Sequence, residues 1–255
     1  MHAPFELAEI AADVLARIRD RGPRVHCITN SVAQPYTANV LLAAGAVPSM
    51  TISTEEIGAF VAGADALLIN LGTLDIERRS AIEVAVATAV EKKLPWLVDP
   101  VFIDRSPARV RFTRALVERR PSVLRLNRAE FAALSEHEFD AGAAARFAQD
   151  CATIVALTGD IDIVTDGKRS TAVANGDPLM SLVTAMGCAG AALVTAALAV
   201  EADAWLATLA ALAAFGVAGE VAAQGARGPG SFAAAMIDAL HDIDRVTLRA
   251  RVKAS

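Results

Sequence analysis

The sequence predicts an α/β domain, a mostly parallel central sheet covered by helices on both faces. Three observations carry this. Short apolar runs of strand length alternate with longer runs of helical periodicity through the first two-thirds of the chain. Three strand candidates then follow one another closely, near Thr153–Leu157, Asp162–Thr165 and Arg169–Ala174, which breaks strict alternation and predicts one antiparallel edge. The final third reads as mainly helical, through Leu248.

Each element has a local reason. Phe5 to Arg21 carries Leu7, Ile10, Ala11, Val14, Leu15 and Ile18 at helical spacing. Arg24 to Thr29 is a short strand. Pro35 to Ala44 suits a helix with proline in its first turn, and Ala46 to Ile52 is extended. Thr54 is placed to cap a helix over Glu55 to Ala62. Ala66 to Leu71 is an apolar strand interrupted only by Asn70 and ended by Gly72. Asp75 caps a helix reaching about Lys93. Trp96 to Val98 is a buried strand that ends at Asp99-Pro100. Pro107 to Arg119 is helical, Val123 to Leu126 extended, Arg128 to Leu134 helical, and Phe139 to Cys151 helical again. Asn175 to Val183 reads as a polar turn followed by a short extended run. Cys188 to about Val200 is an alanine-rich helix.

At 255 residues and 54% hydrophobic, the chain suffices for one large domain over residues 1–255, and no repeat, low-complexity linker or hinge divides it. A net charge of -5 argues against nucleic acid as the main partner. Cys27, Cys151 and Cys188 are odd in number and lack metal-type clustering, which points to a reducing, cytoplasmic setting. Glu6, Glu9 and Asp13 stand where a secretory signal would be basic and apolar. The apolar runs Ala185–Val200 and Ala204–Gly219 fall short of the roughly 18–20 residues of a membrane span, so they read as two buried helices and no membrane partner is expected.

Polar groups recur just after the strands, where open α/β sheets bind ligands. Asn30, Gly72-Thr73, Asp99, Asn127 with Glu130, and Thr158-Gly159-Asp160 all occupy such positions. Each alone also reads as a helix cap or a turn residue; their repetition is the evidence. Asp99 and Glu130 form a carboxylate pair suited to Mg²⁺, which takes one or two carboxylates together with waters and substrate phosphates. Thr184, Gly187 and Cys188 open the alanine-rich helix. A helix start offers unpaired N–H groups and partial positive charge to anionic oxygens, and glycine permits close approach of a ligand. A thiol placed there is expected to have a lowered pKa, although a free cysteine also serves as a small buried hydrophobe. Neither a Walker A loop nor the protein-kinase loop is present, so any phosphate binding uses another architecture, with this helix start the leading candidate.

Taken in order, Val25-His-Cys-Ile-Thr-Asn30, Thr37-Ala-Asn39, Gly45-Ala-Val-Pro-Ser-Met50, Asn70-Leu-Gly-Thr-Leu74, Asp99-Pro-Val101, Arg125-Leu-Asn-Arg-Ala-Glu130, Thr158-Gly159, Asn175 to Cys188 and Gly228-Pro-Gly-Ser-Phe232 span nearly the whole chain. This set resembles the hydroxyethylthiazole kinases of thiamine salvage, which have a ribokinase-like fold. The Asn30 segment and Cys188, where most ribokinase-like enzymes carry aspartate, separate that family from its relatives. The resemblance implies ATP-dependent phosphorylation of the primary alcohol of 4-methyl-5-(2-hydroxyethyl)thiazole, with Mg²⁺ as cofactor. It places Asn30, Val32, Asn39, Met50, Gly72 and Ala185 around the thiazole, and Arg125, Asn127 and Thr158 at the nucleotide. Asp99 and Glu130 fall at the metal, with Gly187 and Cys188 at the reacting groups. It also implies a homotrimer with active sites at subunit interfaces. Met50 is chemically apt for a sulfur-containing ring and equally apt as core filler.

The chain departs from the pattern in three places. Ala185-Met186 replaces glycine and a small residue, Asp99-Pro-Val-Phe102 lacks a glycine-rich continuation, and Ala33-Gln-Pro-Tyr36 replaces a polar lead. Two other readings remain open on the sequence: a ribokinase-like kinase for another small alcohol, and a thiazole- or nucleotide-binding protein without turnover.

Overall fold

The computed structural model describes residues 4–137 and 140–255. One eight-stranded sheet runs through it in the order β2-β1-β3-β4-β5-β6-β7-β8. The strands are β1 (Arg24–Ile28), β2 (Val47–Ser49), β3 (Ala66–Asn70), β4 (Trp96–Asp99), β5 (Val123–Leu126), β6 (Ile154–Leu157), β7 (Asp162–Thr165) and β8 (Ser170–Val173). The first six pair in parallel, and β7 and β8 close one side antiparallel. The predicted antiparallel edge is therefore two strands wide. The final residues add a bridge between Val173 and Ala254.

The helices are α1 (Pro4–Arg21), α2 (Gln34–Ala44), α3 (Ile57–Ala62), α4 (Ile76–Lys92), α5 (Pro107–Val117), α6 (Arg128–Ser135), α7 (Ala141–Cys151), α8 (Met186–Leu198), α9 (Ala204–Gly225), α10 (Pro229–Asp242) and α11 (Arg245–Arg251). Two apolar clusters lie on opposite faces of the sheet. The larger joins α1, α2, α8, α9 and α10 to Cys27, Leu68, Leu97 and Val123. The smaller joins α3 to α7 with Ile28, Leu67, Ile69, Val98 and Leu124. Strand residues thus alternate between the clusters, as the period of two requires.

Several local expectations are corrected. Thr54 does not cap α3, which starts at Ile57 after Glu56 with no side-chain cap. Pro178–Leu182 is a 3₁₀ turn, not an extended run, because Asp177 accepts from the Leu179 N–H and Pro178 suits a first helical position. Asp75 does cap α4, as expected, and Asp140, which the sequence reading did not single out, caps α7. Phe139, the expected start of α7, lies outside the described residues. α9 runs 22 residues, past the Gly219 end that the sequence suggested, and is long and apolar enough to cross a membrane on those criteria alone. In this fold 78% of its apolar window is buried, the pattern of a core helix.

Candidate active site

The site is built by strand register. Asn70 pairs with Asp99 across β3 and β4, and Val98 pairs with Leu124 one step before Asp99 and Arg125. Asn70, Asp99 and Arg125 each follow by two residues a member of the larger cluster, Leu68, Leu97 and Val123. Period-two alternation therefore turns all three toward α8. There they form one network at the carboxyl ends of the strands. Asn70 Nδ2 donates to Asp99 Oδ2 at 2.6 Å, and Arg125 Nη1 donates to Asp99 Oδ1 at 3.2 Å. Asn70 Oδ1 accepts from the Gly72 N–H at 3.0 Å, which fixes the amide between strand end and loop.

Burial dominates the electrostatics. Asp99 is 1% exposed, and desolvation pushes its carboxyl above the ordinary range, against the pull of Arg125 and the Asn70 hydrogen bond. For Arg125, burial opposes the charge, but Asp99, Asp162 and Glu130 outweigh it and keep the guanidinium firmly protonated. Glu130 is buried too, and its carboxyl is raised by desolvation and by Asp99. Its Oε2 accepts from the Asn127 N–H at 2.9 Å, while Asn127 Oδ1 accepts from the Glu130 N–H at 2.8 Å. This reciprocal cap starts α6. Glu130 Oε1 accepts from the Phe102 N–H at 3.0 Å and so holds the turn after β4, where Phe102 adopts a left-handed φ of 60°.

Helix α8 begins at Met186, two residues earlier than its sequence suggested, after Ala185 at a left-handed φ of 71°. The two departures Phe102 and Ala185 thus both adopt a backbone conformation that glycine takes freely and other residues pay for. A Cβ on Gly187 would sit 3.3 Å from Arg125 Nη2, so the guanidinium lies close against the helix start. Arg125 Nε is buried with no partner among the described residues, one donor left over for an anion.

Cys188 corrects the sequence reading. Desolvation, with Asp99 next, pushes its thiol up to about 11, and the opposing effects of Asn70 and Arg125 are smaller. The helix-start effect is real in principle, but burial beside a carboxylate outweighs it here. Cys188 is a protonated thiol at neutral pH.

Around this network, Asn30 Oδ1 accepts from Thr73 Oγ1 at 3.1 Å and from the Val32 N–H at 3.1 Å. Gly72 permits this approach, since a Cβ there would stand 2.5 Å from Asn30 Nδ2 and 2.8 Å from Asn30 Cβ. The Thr158 N–H donates to the Leu126 carbonyl at 2.7 Å, which sets Thr158 beside the end of β5. Met50 is half-buried against the larger cluster. Val32 is 64% exposed. Asn39 lies on the open face of α2, along a groove of 520 Å³ shared with Leu42, Ile237 and His241. Among the described residues the Asn39 side chain makes no hydrogen bond to the network.

Three contributors were missed as site residues. Asn70 carried a signal, a lone amide inside an apolar strand. Asp162 opens β7, accepts from the Gly159 N–H at 3.0 Å and interacts with Arg125; burial first of all raises its carboxyl to about 6. Arg109 of α5 donates to the carbonyls of Leu71, Val101 and Gly72 and so ties the loops after β3 and β4 together. No local pattern announces an interaction of that range. A second cavity of 460 Å³, lined by Lys93, Trp96, Arg119, Ser122 and Glu201, lies at the opposite rim, beside the amino ends of β4 and β5. That is the wrong end of the sheet for the chemistry described here.

Among the described residues no group of three or more His, Cys, Asp and Glu is arranged to hold a metal by itself. The donors present nevertheless fit a hard divalent cation. Asp99, Glu130 and Asp162 all interact with the single Arg125, leaving excess negative charge, and a hard divalent cation there would complete its shell with phosphates and water.

Known proteins agree with this architecture. The model of the hydroxyethylthiazole kinase family matches residues 15–245. A probable hydroxyethylthiazole kinase of Agrobacterium fabrum is 43% identical over 244 residues, covering 95% of this chain and 94% of that protein. A hydroxyethylthiazole kinase of Roseobacter denitrificans is 44% identical over 241 residues, covering 89% of this chain and 93% of the relative. The solved structure of a hydroxyethylthiazole kinase protein from Pyrococcus horikoshii OT3 superposes with a TM-score of 0.93 at 38% identity, covering 97% of this chain and 98% of that one. A ribokinase-like superfamily protein from Enterococcus faecalis, at 14% identity and a TM-score of 0.69, shares the fold. The chain has a ribokinase-like fold and belongs to the hydroxyethylthiazole kinase family.

Proposed function

We propose that this chain transfers the γ-phosphoryl group of ATP to the hydroxyl of 4-methyl-5-(2-hydroxyethyl)thiazole, giving the thiazole phosphate and ADP in thiamine salvage. The observation that carries the reading is the convergence of Asp99, Arg125, Glu130 and the start of α8 at the carboxyl ends of the parallel strands. In the transfer, the alcohol oxygen bonds to phosphorus as the bond to the β-phosphate oxygen breaks, its electron pair leaves with ADP, and the hydroxyl proton passes late to an oxygen of the transferred phosphoryl group and from there to water. Such chemistry needs placement and charge stabilisation above all.

The residues divide that work. Arg125 and the first amides of α8, from Ala185 to Cys188, face the phosphoryl oxygens. Asn127 and Thr158 border the nucleotide. Asp99 and Glu130 would hold Mg²⁺, which would supply neutralisation of the phosphate charge. Asn30, Val32, Asn39, Met50, Gly72 and Ala185 surround the thiazole. Cys188, protonated at neutral pH, orients the alcohol by hydrogen bonding. It is a poor early base, so proton loss comes late in the transfer.

We propose further that the enzyme is cytoplasmic and a homotrimer with active sites between subunits. The exposure of Val32 and Asn39 supports the latter, since a pocket wall left open in one chain is closed by a second. ADP release with Mg-ATP tests the function: a rate that rises on adding the thiazole alcohol is expected. Tight thiazole binding without ADP release would replace the kinase reading with a binding protein.

A further inference from the structure

His26 stands in the segment that most clearly marks the family resemblance, yet none of the chemistry above uses it. It is fully buried on β1 and makes two directed contacts. Nδ1 lies 2.8 Å from Ser49 Oγ, and Nε2 lies 3.0 Å from the Thr51 carbonyl oxygen. A carbonyl only accepts, so Nε2 carries the proton and Nδ1 accepts from the Ser49 hydroxyl. Burial holds the imidazole below its ordinary pKa, which keeps this neutral tautomer in place at physiological pH. Phe60, with ring centroids 6.0 Å apart, packs beside it.

The two residues it grips flank Met50. Register explains the consequence. His26 pairs with Ser49 and Val25 with Pro48, so Ser49 shares the His26 face while Pro48 belongs to the opposite one. Continuing that alternation sends Met50 to the face of Val25 and Cys27, where it packs against the larger cluster. Strand β2 is three residues long, lies at the sheet edge and ends at Ser49. Beyond it, sheet pairing no longer holds the chain. The contact to the Thr51 carbonyl replaces the missing ladder bond, and Thr51 Oγ1 is itself bonded to Glu56.

We propose that His26 is a positioning residue for the thiazole pocket: by holding Ser49 and Thr51 it fixes the backbone on both sides of Met50, and with it the thioether against the substrate ring. This rests on Met50 touching the thiazole. His26 itself stays on the other face of the sheet and touches no reactant. The role is one of specificity and binding, because a loosened Met50 weakens contact with the thiazole and leaves the nucleotide side alone.

The test combines steady-state kinetics with thermal unfolding for His26→Phe, His26→Gln, Ser49→Ala, Met50→Ala and the double variant His26→Phe with Met50→Ala. His26→Phe keeps a ring and loses both hydrogen bonds. It is expected to raise KM for the thiazole alcohol about tenfold, the effect of one to two net hydrogen bonds, with KM for ATP unchanged. His26→Gln keeps an amide N–H near the position of Nε2 and should recover most of that loss. Ser49→Ala, the mildest change, should raise the same KM about threefold and serves where His26→Phe does not fold. In the double variant the penalties should merge into that of Met50→Ala. Penalties that multiply, or a KM for ATP that rises in step with that for the thiazole, would overturn the proposal as mere loss of structure. If Met50→Ala alone leaves the thiazole KM unchanged, the assignment of Met50 to the pocket fails, and the positioning role falls with it.

Discussion

Asp162 offers the sharpest quantitative consequence of this site. Its carboxyl is raised from 3.8 to about 6, chiefly by burial, with the Gly159 hydrogen bond and Arg125 opposing. The folded protein therefore holds this proton more tightly than the unfolded chain. Stability linked to Asp162 is fully present below about pH 4 and is lost as pH rises through about 6. A shift of that size corresponds to about 3 kcal/mol at neutral pH, an upper figure. Asp162→Asn mimics the protonated group and keeps an oxygen for the Gly159 N–H. The variant should be more stable than the parent at pH 7, with Tm up by several degrees and at most about 10 °C for a chain of this size. The two should converge near pH 4. Thermal unfolding of both proteins between pH 4 and 7.5 measures this. A Tm difference that does not vary with pH, or a variant less stable at pH 7, would refute the view that burial governs this corner of the site. Retaining a carboxylate at such cost is what a functional position does.

Other outcomes follow from the same geometry. Cys188→Ser keeps a neutral donor, so thiazole binding, measured by calorimetry, should stay the same, while the shorter C–O bond sets that donor back from the alcohol and turnover should fall; lost binding would make Cys188 a pocket residue first. Gly72→Ala places a methyl within 2.8 Å of Asn30 Cβ and must displace Asn30. It should cost about 1–3 kcal/mol in denaturant unfolding and raise KM for the thiazole more than KM for ATP. Glu130→Ala leaves the Asn127 and Phe102 N–H groups without their acceptor, a cost of about 1–3 kcal/mol, and removes a proposed metal ligand. Turnover should fall far more than stability, and unchanged turnover would remove Glu130 from the metal site.

Much of the site was legible because strand periodicity and strand-end polarity are local properties. Asp99, Asn127 and Glu130 were visible as polar punctuation after apolar runs, and the structure brings Asp99 and Glu130 together with Arg125. What the sequence withheld is three-dimensional in origin. The thiol of Cys188 was expected low because a helix start favours anions; the depth of burial and the nearness of Asp99 were invisible. The apolar run read as ending at Gly219, before Glu220, yet α9 continues to Gly225, because a helix can outlast its apolar stretch once its other face meets solvent. Arg109 reaches Leu71 across 38 residues, and no spacing rule foretells such a bond.

Phosphoryl transfer to the thiazole alcohol can be followed through the label of γ-labelled ATP. The label should appear in thiazole phosphate, one equivalent for each ADP formed, and the transfer should require a divalent cation. Label released as inorganic phosphate at a rate indifferent to the thiazole, or carried only to a different alcohol, would contradict it.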